Sequence, residues 1–205
     1  MWEYFYGPDT VSLAPHIALR DVGVDLRLHR VDMKAGGQTS ADYLALNPKG
    51  RVPTLITPHG TLTETPAILA FVAQSFPAAG LIPDDPYEFA RVQEFNCYIA
   101  STLHVAHAHK FRGHRWVDDK DAIRAMREKV PQTVAAAFAH IEENYLPGPF
   151  VMGDSYSIAD PYLFTVSRWI ESDGVDPALF PKVSAHRAMM MTRPSVKRAL
   201  ADVYD

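Results

Sequence analysis

The chain opens with a β-prone run at residues 2–6 (WEYFY), and Gly7, Pro8 and Asp9 break it before a helical spacing begins near Ser12. Leu13, Ile17, Leu19 and Val22 supply a mostly apolar helical face that Gly23 ends. Residues 24–31 then alternate valine and leucine with aspartate, arginine and histidine, which is the period of a second strand. After a Gly-rich loop and a short helical patch at residues 43–46, residues 52–57 and 61–63 read as two short strands joined at His59 and Gly60. Residues 66–76 are helical, with Ile68, Leu69 and Val72 spaced for one buried face. The pattern therefore predicts β-α-β, a connecting segment, then β-β-α.

Residues 77–86 hold three prolines and a glycine between two helical patterns, the composition of a linker. The expected division is a mixed α/β domain at 1–78, a linker at 79–86 and an all-helical domain at 87–205. In the second part, Val92, Phe95, Ile99, Leu103 and Ala106 recur at helical spacing, as do Ile123, Met126, Val130, Val134, Ala137, Phe138 and Ile141. Pro131 interrupts the second pattern and is expected to kink that helix or mark its effective start. Ser157 and Asp160 resemble a capping box ahead of a helix at residues 162–170, and two shorter helices at 184–191 and 195–203 follow.

Composition narrows the function. With 205 residues and 47% hydrophobic content the chain can bury a core in each part. The single cysteine, Cys97, forms no intramolecular disulfide, the first residues lack a signal-peptide pattern, and no run of about 18 apolar residues exists. These features predict a cytoplasmic protein with no membrane partner. A net charge of -4 with mixed signs gives no general attraction to nucleic acid, so the expected partner is a small molecule.

Three segments resemble glutathione transferases: NPKGRVPTL at residues 47–55, LTETPAIL at 62–69 and SIADPYLFTVSRW at 157–169. Their order and spacing also match, and SLAPHIALRDVG after the first strand, VDMK after the second and the pair Leu103-His104 are similar to the beta class. The resemblance implies a thioredoxin-like glutathione-binding domain followed by an all-helical domain. It also implies a homodimer, with glutathione as co-substrate, no metal and a small electrophile as second substrate in detoxifying conjugation. Peroxide reduction, dehalogenation, isomerisation, or binding without catalysis are the alternatives on the same site.

The resemblance assigns roles residue by residue. A cis bond between Val52 and Pro53 would turn the Val52 main chain outward to pair with the cysteinyl backbone like an added strand. Thr65, at a helix entrance followed by Pro66, would receive the γ-glutamyl carboxylate while Glu64 faces its ammonium group; plain helix capping by Thr65 is the alternative. Lys34 would meet the glycyl carboxylate, and Cys97 stands where the family often has an asparagine that reaches the partner subunit's glutathione.

At the thiol the chain departs from the beta class, because Val11 occupies the position of the class cysteine. Lowering a thiol pKa from ~8.5 to ~7 requires about 2 kcal/mol, which one hydroxyl hydrogen bond at a helix start can supply. Ser12 is the preferred hydroxyl, with Thr10 and Tyr6 as competitors; an N-cap role for Ser12 and a core role for Tyr6 remain open. Straight helical spacing puts Cys97, Ser101, His104 and Phe111 on one stripe, where His104 matches the class histidine near the sulfur. Phe111, Arg112, Trp116 and Trp169 are the expected wall of the electrophile pocket. His104, His107, His109 and His114 lack the spacing of a metal ligand set, so no metal is expected there.

Overall fold

A computed structural model describes residues 1–204. The first part contains strand β1 (Trp2–Tyr6), helix α1 (Leu13–Val22), strand β2 (Leu26–Arg30), helix α2 (Ala41–Leu46), strands β3 (Thr54–Thr57) and β4 (Gly60–Thr63), and helix α3 (Thr65–Ser75). The strands form one sheet in the order β2-β1-β3-β4, with β1 parallel to β2 and antiparallel to β3, and β3 antiparallel to β4. Tyr4 pairs with Leu28 on one side and Leu55 on the other, so an aromatic residue fills the sheet centre. This is the expected β-α-β, β-β-α order of a thioredoxin-like domain. Gly23 ends α1 in the left-handed region, φ 65°, which a residue without Cβ adopts freely.

Strand limits contract relative to the hydrophobic pattern. β3 starts at Thr54 instead of residue 52: Val52 and Pro53, joined by a cis peptide bond, stand outside the ladder. Periodicity cannot register such a bond, since it sees side-chain type and not ω.

The second part comprises α4 (Pro86–Tyr98), α5 (His104–Arg112), α6 (Lys120–Asn144), α7 (Ala159–Ser167), α8 (Pro181–Met190) and α9 (Pro194–Tyr204). Asp85 and Asp119 cap α4 and α6 by accepting main-chain N–H bonds. The long helix expected through residues 92–106 is divided by a π turn, Ile99–Leu103, between α4 and α5. A wider i→i+5 turn accommodates an extra residue, so positions upstream of it rotate by about 100° relative to a straight α-helix. Pro131 does not start a helix: α6 begins at Lys120, where Asp119 caps it, and runs on past the proline.

Ser157 and Asp160 form the predicted local bond, and Asp160 does more. Its carboxylate accepts the N–H of Ser157 at 2.7 Å and of Val151 at 2.8 Å, and lies 3.0 Å from His186 Nε2 on α8. Both Asp160 and His186 are fully buried. One side chain thus ties the loop before α7, α7 itself and α8.

The two parts meet on α1. Leu13 through Leu19 are buried without a break, because α1 packs against α3 on one side and against α7 and α9 on the other. Asp202 on α9 fixes that contact: its Oδ2 lies 3.1 Å from His16 Nε2 and 2.6 Å from Arg20 Nε, and its carbonyl accepts the Tyr6 hydroxyl at 3.0 Å.

Replacing Asp160 with alanine orphans two buried N–H groups and unpairs a buried histidine. Each buried donor left without an acceptor costs about 1–3 kcal/mol. The Asp160→Ala variant is therefore expected to lower the urea midpoint strongly, and a midpoint within error of wild type would show that the network carries no stability.

Candidate active site

A cleft of about 680 Å³ lies between the two parts. Its walls come from the loop between β1 and α1, the segment before β3, the entrance of α3, and α5 with the turn that follows it. Thr10, Val11, Val52, Pro53, Glu64 and Thr65 line one half; His104, Phe111, Arg112, Trp116 and Trp169 line the other.

The first half is rich in unused main-chain groups. Among the described residues, neither the N–H nor the C=O of Val52 finds a partner within the chain, although the flanking Thr54 is locked into the sheet. Glu64 has φ 72°, unusual for a residue with a side chain, and makes no side-chain cap to α3; Pro66 follows in the first turn. The N-terminus of α3 therefore opens into the cleft with uncapped N–H groups beside the buried Thr65. Glu64 pairs with Lys49, both being largely exposed.

The β1–α1 loop places its hydroxyls differently from expectation. Ser12 is 1% exposed and does not line the cleft; its Oγ accepts the Gly7 N–H at 3.1 Å and lies 3.1 Å from the Gly7 carbonyl and 2.7 Å from Thr10 Oγ1. The hydroxyl is consumed in closing the loop, which is why it turns inward. Tyr6 is also absent from the cleft, since its hydroxyl donates to Asp202 on α9. Thr10 and Val11 do line it, and neither of their main-chain N–H groups has a partner among the described residues. The loop's sharp turn is made at Asp9, φ 54°, whose carboxylate accepts the Tyr204 hydroxyl.

The π turn accounts for the fate of the expected helical stripe. His104 and Phe111 line the cleft, but Cys97 and Ser101 are exposed and do not, because the widened turn shifts the helical register of the positions before His104. Ala100 lines the wall instead. Lys34 is exposed on its loop outside the cleft lining, its N–H held by Asp32 Oδ1 at 3.0 Å.

Sequence reasoning missed several cleft residues. Gln38 reaches the wall with a buried Oε1 that has no partner, and Arg51 lines the cleft beside Val52. His107 Nδ1 lies 2.7 Å and 3.0 Å from the two carboxylate oxygens of the buried Asp173, while its ring stacks on Trp169 at 4.2 Å and 21°. The partners are 66 residues apart, so no local motif announces them. His104 sits 5.4 Å from the same Trp169 ring and 6.4 Å from His107. His109 instead meets Trp116 edge-on at 4.4 Å, and among the described residues no group of three or more ligating side chains is arranged for a metal ion.

Burial, followed by the positive charges of Arg112, His107, Arg51 and Arg115, lowers the His104 pKa to about 3. His104 is therefore neutral near pH 7, a hydrogen-bond partner and not a cation.

Residues 2–74 match the glutathione S-transferase N-terminal domain and residues 98–194 the glutathione S-transferase C-terminal domain. Glutathione S-transferase GstA of Escherichia coli O157:H7 is 37% identical over 202 residues, 97% of each chain. A solved glutathione transferase homologue from Sulfitobacter, with bound glutathione, shares 43% identity and a TM-score of 0.96 over 98% of each chain. A bacterial beta-class enzyme from Sphingomonas chungbukensis shares 32% identity and a TM-score of 0.85 over 98% of each chain. The chain belongs to the glutathione S-transferase family.

Two depressed histidines set an acid limit. Burial also lowers His16 to about 4, aided by Arg20 and opposed by Asp202. Each imidazole binds a proton near pH 6.5 when unfolded but only near pH 3–4 when folded, so the unfolded state gains protons first. The stability they contribute is intact above pH 6.5 and falls with pH below it, by up to roughly 1.4 kcal/mol per pH unit for each. Chemical denaturation between pH 7 and pH 4.5 should show this loss, with a shallower slope in His104→Phe; identical slopes would refute the assignment.

Proposed function

We propose that this chain conjugates the glutathione thiolate to small electrophiles in the cleft, working as a homodimer. The observation that carries the reading is the unpaired Val52 main chain, opening onto the same cleft as the α3 entrance and the start of α1. An extended tripeptide laid along Val52 gains two main-chain hydrogen bonds, in the manner of an added strand. Its γ-glutamyl carboxylate then reaches the free N–H groups at Thr65, with Glu64 opposite the ammonium group. Its glycyl end points toward Gln38 and Arg51, with Lys34 flanking them next to the cleft-lining Met33. Cys97 has no part in this arrangement within one chain.

The sulfur lies at the Thr10–Val11 corner. Val11 offers no thiol, so a mixed disulfide cannot form there. Activation falls to the Thr10 hydroxyl, the unpartnered N–H groups of Thr10 and Val11 at the positive end of α1, and neutral His104 across the cleft. In the free protein Thr10 Oγ1 donates to the Gly7 carbonyl at 2.8 Å. A thiolate would compete for that proton, while Ser12 holds the loop in place from behind. The bound thiolate attacks the electrophilic carbon, and fixing both reactants in one cleft supplies the remaining acceleration. We assign residues 1–78 to glutathione binding and 87–205 to the electrophile side, joined by residues 79–86.

Ultraviolet thiolate absorbance during a glutathione titration tests the assignment. Losing one hydrogen bond to a charged sulfur costs about 1.5–3 kcal/mol, so Thr10→Val is expected to raise the bound thiol pKa by about 1–2 units. A thiolate signal that titrates identically in wild type and Thr10→Val would remove the hydroxyl from the mechanism. Saturable binding without any thiolate near pH 7 would favour a glutathione-binding protein that no longer catalyses. Light scattering should give twice the chain mass of 22.8 kDa, and a monomer would overturn the dimer.

A further inference from the structure

Arg51, Arg112 and Arg115 line the same cleft, Arg112 and Arg115 in the electrophile half and Arg51 beside Val52. Among the described residues none of the three pairs with a carboxylate, whereas Arg20, Arg91, Arg187 and Arg193 all do. The cleft's two acidic residues are occupied elsewhere, Asp9 with Tyr204 and Glu64 with Lys49. Asp173, behind the wall, is taken by His107 and Lys110. The three guanidiniums act on one another: burial and the charges of Arg115 and Arg51 hold Arg112 below its ordinary range, and burial and Arg51 do the same to Arg115. Such a cluster is unfavourable in the free protein and is relieved by an anion.

Flat apolar surface adjoins the charges. Phe111 is 66% exposed and Trp116 48% exposed, both at the cleft wall, with Trp169 deeper. A site with exposed aromatic faces beside unpaired guanidiniums fits a planar apolar group carrying an acid.

We propose that the second substrate is an anionic electrophile, an aromatic or unsaturated compound bearing a carboxylate, which Arg112 and Arg115 bind while its reactive carbon faces the sulfur. Arg51, next to Val52, stands between this carboxylate and the glycyl carboxylate of the tripeptide. The guanidinium fork matches a carboxylate in bidentate fashion, and neutral His104 nearby adds no competing charge. This inference rests on the transferase reading for its chemistry, but the anion site itself can be tested without turnover.

A matched pair of probes tests it: 4-chloro-3,5-dinitrobenzoate and the corresponding benzamide. In both, the thiolate sulfur bonds to the ring carbon bearing chlorine, the C–Cl bond breaks, chloride leaves with the bonding pair, and the thiol proton passes to solvent. Each kcat/KM is divided by the uncatalysed rate constant with free glutathione, which removes the difference in ring activation. Wild type is expected to favour the acid by about tenfold or more. That ratio should fall toward one in Arg112→Gln and Arg115→Gln, and persist in Arg27→Gln, which removes an exposed charge on β2 outside the cleft. A wild-type ratio near one, or a ratio that survives in both cleft variants, would overturn the proposal. Calorimetry with 4-nitrobenzoate and 4-nitrobenzamide decides the matter independently: binding of the acid alone, lost in Arg112→Gln, supports the anion site even if neither probe turns over. In that event the transferase reading fails by itself. Equal binding of acid and amide would sink the anion site even in an active transferase.

Discussion

The burial of α1 is the constraint on which the rest of the structure depends. Its residues Leu13 through Leu19 lie inside continuous packing between α3 and the pair α7 and α9, so this helix belongs to both cores at once. A helix buried on every side has no freedom to tilt without opening cavities. The start of α1 is therefore fixed relative to the sheet and to the helical part together. On the proposed transferase reading that fixed point holds the sulfur, and Asp202 reinforces it by gripping His16, Arg20 and Tyr6 from the last helix. Tyr204 extends the same support to Asp9, the residue at which the loop turns.

Pre-positioning matters because the energies needed at the sulfur are small. A shift of about 2 kcal/mol in thiol ionisation is the work of one good hydrogen bond, and a bond of that kind is lost if the donor moves by a fraction of its length. The loop meets this demand by spending hydroxyls on itself. Ser12 and Thr10 bond to each other and to Gly7, so that Thr10 and the Val11 main chain are presented to the cleft in one conformation. The residue that sequence spacing favours for contact with the sulfur instead supports the loop.

Much of the fold was legible because it rests on short-range signals. The alternation of β2, the turn at His59-Gly60, the break at Gly23 and the Ser157-Asp160 capping pair all lie within a few residues of one another and appear where the pattern places them. Segment resemblance also located Val52, Thr65, His104 and Trp169, which the structure gathers on one cleft. What was not legible depends on long-range geometry. The π turn looks like any apolar helical segment in sequence, yet it decides that Ala100 and not Ser101 faces the cleft. The His107–Asp173 pair joins positions that no window spans. The direction of the Ser12 hydroxyl follows from the path of the Gly7–Asp9 turn, which residue identity alone does not specify.

In the half of the cleft lined by His104 and Arg112, burial and a cluster of charge together set the state of the histidine. Burial, with the charges of Arg112, His107, Arg51 and Arg115 added to it, holds His104 neutral, and a neutral imidazole can accept or share a proton where an imidazolium would only pair with a thiolate. The arginine charges favour a thiolate over a thiol in the cleft, whereas burial, the larger cause at His104, disfavours any charged form. On the proposed transferase reading, sulfur activation is not confined to the Thr10–Val11 corner. On that reading the basic wall opposite contributes to it through space, which is a physical reason why the site can forgo the class cysteine at Val11.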